Sequence, residues 1–263
     1  MDIPEVDLAH RRTMMGTGAQ GWVSSPSMFG SVGARSWSVL TGSLAPDMNM
    51  ALIHSADPEL LVEPLTQLAQ RACPSLLMLA GAGKSLADQL PASFLAVGSM
   101  PIMAADLSST PRASDPRVRR AGREDEATVT DLLAEAYGFD REVAALATAP
   151  LLAEGSTVTS IWLLEVGGEA VSTVTTIRVE DSVSVWCMGT PQRFGRRGYG
   201  KAILASVLDT AREDGAVLGL LGATPAGLPL YEATGWQTQE TWDLFTDATS
   251  AQFSLNLRPE QRT

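Results

Sequence analysis

The chain has 263 residues, of which 45% are hydrophobic and 19% charged, with a formal net charge of −11. This is the composition of a folded globular protein of one large or two ordinary domains, and it excludes a disordered chain. The acidic balance argues against a nucleic-acid surface, which needs a basic face, and fits a cationic or neutral acceptor.

The opening MDIPEVDLAHRR has no apolar leader core, and no run approaches the ~20 apolar residues of a membrane span. A soluble cytoplasmic protein with no membrane partner is expected. Cys73 and Cys187 sit in apolar runs and read as small core residues in a reducing compartment. A short helix is predicted around Asp7–Met15, followed by Gly- and Ser-rich loops from Gly16 to Gly33. Trp37–Leu40 and Met48–His54 read as strands. Asp57-Pro58 is a helix start, with an N-cap residue followed by proline at the first helical position. That helix is predicted to reach Ala72, with Pro64 as a point of bending. Ser75–Ala80 reads as a buried strand, Lys84–Leu90 as a short helix, and Phe94–Val97 and Ile102–Leu107 as a pair of strands. Gly81-Ala82-Gly83-Lys84-Ser85 looks like the end of a phosphate-binding P-loop, but Met78 stands where the pattern needs its first glycine, so the cradle is incomplete. His10 and His54 fit surface or core roles better than catalysis.

The polar stretch Ser108–Asp115, with Pro111 and Pro116, reads as a linker. Three regions follow: a first domain over 1–110, a linker over 111–117 and a second domain over 118–263. The second opens with a strand at Val118–Ala121, then helices at Asp125–Tyr137 and Asp140–Leu152. A hairpin is predicted from Thr157–Val166 and Glu169–Val179 across Gly167-Gly168. Val183, Val185 and Cys187 alternate with Ser184 and Trp186 in a strand that meets the breakers Gly189 and Pro191. From Lys201 a helical face of Ile203, Leu204, Val207, Leu208 and Ala211 closes at Gly215, and Val217–Leu221 reads as a buried strand. Residues 48–107 and 183–246 share one order of elements (strand, helix, strand, helix, strand, strand), which points to an internal duplication.

Between the strand and helix of the second copy lies Gln192-Arg193-Phe194-Gly195-Arg196-Arg197-Gly198-Tyr199-Gly200-Lys201. Glycines let backbone N–H groups converge on a ligand, and the helix that follows adds the positive end of its dipole. The unit is suited to an anion, most naturally a phosphate, and its basic residues stand out in an acidic chain. The first copy has no such loop. Only Ser55 and Ala56 separate His54 from the helix start, and Asp57 and Glu59 would repel a phosphate there.

Gly198 and Gly200, followed by Tyr231, Gly235 and Trp236, resemble the acyl-CoA-binding core of the GNAT acyltransferase superfamily. That family's loop reads Arg/Gln-x-x-Gly-x-Gly/Ala, with Tyr-x-x-x-Gly-Phe one helix and one strand later. The chain departs from it at Gly195, which takes the Arg/Gln position. The resemblance implies a mixed α/β (α+β) fold, a central splayed sheet flanked by helices, in two tandem lobes of which the first is degenerate. It also implies an N-acetyltransferase with acetyl-CoA as cosubstrate and no metal. Cofactor contacts would fall at Trp186, Met188, Gly189, Arg193, Arg196, Arg197, Gly198, Tyr199, Gly200 and Lys201. The main chain at Trp186 and Met188 would bind pantetheine and the thioester oxygen, with Gly189 and Pro191 ending the strand pairing. Tyr231 would be the general acid, and Tyr137, Phe139 and Asp140 would border the acceptor. The strand Ser182–Cys187 lacks the glutamate that serves many relatives as base; Glu180 and Asp181 just before it read as solvated turn residues. Asp140, Glu142 and Glu135 flank the segment that in this family borders the acceptor, where they could hold an ammonium group or leave the proton to a water relay. The acceptor is read as a small primary amine. A protein or peptide N-acetyltransferase and a non-catalytic acyl-CoA sensor remain as alternatives, and a homodimer is compatible with each.

Overall fold

The computed structural model describes residues 5–71, 73–110, 112–152 and 158–247. The chain forms a mixed α/β structure in two compact units. The first unit takes the described residues up to 102 with 223–226 and those from 238 onward; the second takes 103–222 and 227–237.

The first unit contains α1 (Glu5–Ala19), β1 (Phe29–Val32), β2 (Ser36–Leu40), β3 (Asn49–Ile53), α2 (Val62–Arg71), β4 (Leu76–Leu79), the amino-terminal part of β5 (Phe94–Asp106) and β11 (Gln237–Asp247). Its strands run in the order β1-β2-β3-β4-β11-β5. β3 and β4 are parallel and therefore need a crossover, which α2 supplies. All five residues of β3 and all four of β4 are buried, so these strands are covered on both faces rather than alternating, and all but Asn49 are apolar. Asn49 is wholly buried yet satisfied: its amide donates to the carbonyls of Ser43, Ala45 and Pro74, and its oxygen accepts from the Gly42 N–H. Trp37 and Trp242 meet edge to face at 6.4 Å in the core of this unit.

The second unit contains the end of β5 and then β6 (Val118–Arg120), α3 (Glu126–Tyr137), α4 (Arg141–Leu152), β7 (Thr159–Val166), β8 (Glu169–Val179), β9 (Ser182–Gly189), α5 (Tyr199–Glu213), β10 (Leu218–Gly222) and α6 (Leu228–Glu232). Its strand order is β5-β10-β9-β8-β7-β6, with α3 and α5 both packed on β8. The β7–β8 turn holds Gly167 and Gly168 at φ 62° and 83°, the paired positive values of a type I′ hairpin.

The duplicated order is present as β3-α2-β4 followed by β5, and β9-α5-β10-α6 followed by β11. The copies exchange their closing strands. β11 pairs with β4, and β5 lies next to β10. The expected linker residues 112–117 lie within the second unit, where the Asp115 N–H donates to Ser206 Oγ.

Several local expectations change. The first helix runs through the predicted loop glycines to Ala19, because Gly16 is a packing residue: a Cβ there would lie 2.3 Å from Trp37 Cγ. A strand, β1, occupies part of the predicted loop. The two strands predicted between Phe94 and Leu107 are one, β5, which passes through Gly98 at φ 140° without turning back. The closing segment of the second copy is likewise a single strand, β11. A 3₁₀ turn at Pro58–Leu61 precedes α2, so Pro64 falls in the first α-helical turn, where proline is tolerated without a bend.

Candidate functional site

β9 organises the second unit. It pairs in parallel with β10 from Ser182 to Ser184, opposite Leu218 to Leu220, and no pairing continues beyond. On its other edge it stays with β8, but with a bulge: Trp186 opposes Thr175 and Gly189 opposes Thr173, leaving two residues of β9 against one of β8. Cys187 takes φ 43° to make this possible, a left-handed geometry that a side chain adopts only at a cost. The fully buried run of β9, Ser182–Val185, ends just before it, and Trp186, Cys187 and Met188 are all half-buried. The parting from β10 begins upstream of Gly189 and Pro191. Gly189 is instead a close-packing glycine, whose Cβ would lie 2.9 Å from that of Ala136 on α3. Trp186 turns its indole N–H back to Ser184 Oγ at 2.7 Å.

After β9 the chain makes a 3₁₀ turn at Gln192–Phe194 with Phe194 buried, then enters the basic loop. Arg196 and Gly198 take φ 63° and 80°, and α5 begins at Tyr199, two residues before the predicted start at Lys201. Gly198 caps α5 without a side chain, and a Cβ on it would meet nothing within 4 Å. The first N–H groups of a 15-residue helix are therefore left without a side-chain cap. Arg196, Arg197 and Lys201 are exposed and make no ion pair among the described residues. Arg193 is engaged elsewhere. Its guanidinium pairs with Glu135 of α3 at 3.2 Å and lies over the Phe194 ring. Tyr199 is half-buried at the helix start, and Gly200 faces the site so closely that a Cβ would lie 3.3 Å from Met188 Cε.

Tyr231 projects from α6 and is buried, with its ring edge to face against Trp236 at 5.9 Å. Its hydroxyl donates to Met188 Sδ at 3.8 Å, so α6 delivers a phenol to the bulged end of β9. Burial pushes the phenol up to about 12, which keeps it protonated through the neutral range. Tyr137, at the end of α3, donates its hydroxyl to the Met188 carbonyl at 3.0 Å and stacks on Phe139 at 5.5 Å. Asp140 is exposed at the start of α4. Tyr231, Tyr137, Trp186, Met188, Gly189 and the Gly198–Gly200 turn thus belong to one neighbourhood. Arg193 turns toward α3, and among the described residues Asp140 makes no hydrogen bond or ion pair with that neighbourhood. Sequence reasoning missed the bulge at Cys187 and the left-handed Arg196, for which a non-glycine residue gives no signal. It also missed the convergence of two phenols on Met188.

The other sequence features fall outside this neighbourhood. Gly83 is buried with Ile53 O only 2.3 Å from a Cβ position, and Lys84 is paired with Asp243 at 2.9 Å, so the P-loop look-alike is a packed 3₁₀ turn. His54 is buried in the first unit, held neutral by burial and then by the Arg12 charge, which lower it to about 4. Cys73 and Cys187 are both half-buried. Among the described residues no group of His, Cys, Asp and Glu is arranged to hold a metal ion, and no helix is long and apolar enough to cross a membrane.

No protein-family profile and no curated protein matches the sequence. The fold does match solved structures. A GCN5-related N-acetyltransferase from Kribbella flavida superposes with a TM-score of 0.63 at 18% identity, over 89% of this chain and 95% of that one. A proposed GNAT-family acetyltransferase from Novosphingobium aromaticivorans gives 0.59 at 15%, over 90% and 96%. The N-myristoyltransferase of Saccharomyces cerevisiae, solved with bound myristoyl-CoA, gives 0.53 at 10%, over 78% and 61%. At these identities the likeness is one of fold. The chain has the GNAT fold, and the first two matches extend over nearly all of both chains.

Proposed function

We propose that this protein is an acyl-CoA-dependent N-acyltransferase that moves an acetyl group from acetyl-CoA to the primary amine of a small molecule. The observation that carries the reading is the meeting, in one unit, of a phenol from α6 with the bulged end of β9, past the end of its β10 ladder, beside an uncapped basic helix start. Fold likeness to acyltransferases adds to it but does not by itself establish an activity.

In this reading the coenzyme diphosphate lies on the N–H groups of Gly198–Lys201, drawn by the helix dipole and by Arg196, Arg197 and Lys201. The pantetheine arm takes the place of β10 along β9, where the ladder has ended. Main-chain groups at Trp186 and Met188 then orient the thioester carbonyl. The amine nitrogen attacks that carbonyl and forms the C–N bond. As the tetrahedral intermediate collapses, the C–S bond breaks and the thiolate takes the proton of Tyr231. The proton released by the nitrogen restores the phenol, so the sum is amide plus free CoA thiol. A phenol raised to about 12 stays loaded with its proton until the leaving group needs it.

No carboxylate stands on β9, and Glu135 is paired with Arg193, so the amine arrives unprotonated from solution. The rate should then rise with pH toward the amine's own pKa. The acidic balance of the chain favours a cationic acceptor. Tyr137 and Phe139, stacked beside the Met188 carbonyl, would form one wall of the acceptor site. The missing carboxylate also gives the sensor reading its one specific support. The test is a thermal-shift series with CoA and acetyl-CoA, followed by thiol release over a panel of small amines and lysine peptides. Stabilisation with thiol release on a small amine supports the proposal. Release on peptides alone would reassign the acceptor, stabilisation without turnover would make the protein a sensor, and no stabilisation would overturn the cofactor assignment.

A further inference from the structure

The side chain of Met188 is placed unlike any other in this neighbourhood. It leaves the bulged end of β9, where its own carbonyl is held by the Tyr137 hydroxyl. Its sulfur receives the Tyr231 hydroxyl at 3.8 Å, which is the one hydrogen-bond partner that phenol has among the described residues. Its methyl reaches the first turn of α5, where a Cβ on Gly200 would lie 3.3 Å from it; Leu230 Cδ2 and Thr190 Oγ1 stand 3.6 Å from the same point. The thioether therefore bridges β9, α5 and α6 across the gap that the pantetheine arm would thread. A thioether is a weak acceptor and an unbranched, flexible side chain, so this contact is easily exchanged for a better one.

We propose that Met188 gates the thioester position: its sulfur occupies, in the unliganded protein, the place beside the Tyr231 hydroxyl that the sulfur of an acyl-CoA takes on binding. This rests on the acyl-CoA reading above. Binding of the acyl-CoA displaces the thioether, and the phenol changes partner from one sulfur to the other. Met188 is a positioning residue in this scheme, holding the phenol aimed into the gap while the site is empty. The displacement lowers apparent affinity for the pantetheine arm in proportion to the fraction of molecules with the gate open. It leaves ligands without that arm unaffected.

The test compares acetyl-CoA with ADP, which carries the diphosphate and adenosine but no pantetheine arm, by calorimetry on wild type and Met188→Ala. Removing the thioether is expected to tighten acetyl-CoA at least ~3-fold while leaving ADP unchanged. A second measurement needs no truncation. With methyl-labelled methionine, the Met188 resonance, assigned by its loss in Met188→Leu, should shift on adding acetyl-CoA and stay in place with ADP. Failure of wild type to bind acetyl-CoA or ADP would sink the cofactor reading itself. Normal acetyl-CoA binding with an unmoved Met188 methyl, or with no gain in Met188→Ala of unchanged ADP affinity, would sink the gate alone.

Discussion

Replacing Tyr231 with phenylalanine separates catalysis from packing, because the structure gives the hydroxyl so little structural work. Its hydrogen bond goes to a thioether at 3.8 Å, and the ring keeps its edge-to-face contact with Trp236 in either residue. Loss of that bond should cost folding about 0.5 kcal/mol, the low end for a neutral hydrogen bond. A positioned general acid contributes about 10²–10⁴ to rate, or roughly 2.7–5.5 kcal/mol. The two effects differ several-fold and are read in different assays. Thiol release under saturating acetyl-CoA should fall ~100-fold or more in Tyr231→Phe, with acetyl-CoA affinity within ~3-fold of wild type. A turnover that stays within ~3-fold would remove the phenol from the chemistry. The same group gives an alkaline signature. Its folded value of about 12 lies above its ordinary value of 10.0, so the folded state holds the proton while the unfolded state loses it. Stability present below pH 10 should therefore decline as pH rises toward 12, by up to ~3 kcal/mol. Tyr231→Phe should flatten that decline in urea melts.

Reversing charge in Arg196→Glu/Arg197→Glu should weaken acetyl-CoA at least ~10-fold, or ~1.4 kcal/mol. Both side chains are exposed and unpaired, so the melting temperature should hold, and intact affinity would refute their place in the grip. In the first unit Arg12 donates to both oxygens of Glu240, at 2.8 and 2.5 Å, with the arginine buried and the carboxylate half-buried. Arg12→Leu should cost roughly 3 kcal/mol in chemical denaturation, by leaving the carboxylate with the Trp242 indole N–H but no cation, and Arg12→Leu/Glu240→Leu should recover most of it. His54, lowered to about 4 by burial and then by Arg12, contributes stability that is present above its ordinary 6.5 and lost as pH falls toward 4. Buried Asp47, raised to about 6, acts in the opposite sense in that window, so the readout is the difference between wild type and His54→Gln. That difference should narrow on acidification.

Most of the second unit was legible because its elements announce themselves locally. The Gly167-Gly168 hairpin, the apolar face of α5 and the buried β10 each follow from turn chemistry or period. What was missed is tertiary in origin. Gly16 looks like a loop glycine until Trp37 is seen lying against it. β5 looks like two strands because Gly98 and Pro101 interrupt the pattern, whereas the sheet carries the backbone straight through. The site divides the same way. The glycine loop and Tyr231 stand out in the sequence, but the bulge at Cys187 depends on register against β8. Arg193 looked like part of the anion grip, and only the position of Glu135 on α3 shows that its charge is already answered.

The duplication offers an internal control, because the two copies differ at the junction where a strand meets a helix. After β3, the Asp57 carboxylate accepts the Glu59 N–H at 3.1 Å, and Pro58 has no N–H to offer, so the chain fills its own helix start with negative charge. After β9, Gly198 has no side chain, and no side-chain cap closes the start of α5. If that difference decides where an anion binds, then Gly198→Asp should convert the second junction into the kind found in the first. Asparagine has the same shape and tolerates φ near 80° about as well, so any backbone strain is shared by Gly198→Asn. The gap between the two variants isolates charge. Gly198→Asp should bind acetyl-CoA at least ~10-fold more weakly than Gly198→Asn at low salt, with similar melting temperatures, and the gap should narrow as salt is raised. Equal affinities would mean that the diphosphate lies elsewhere, whatever the likeness of fold.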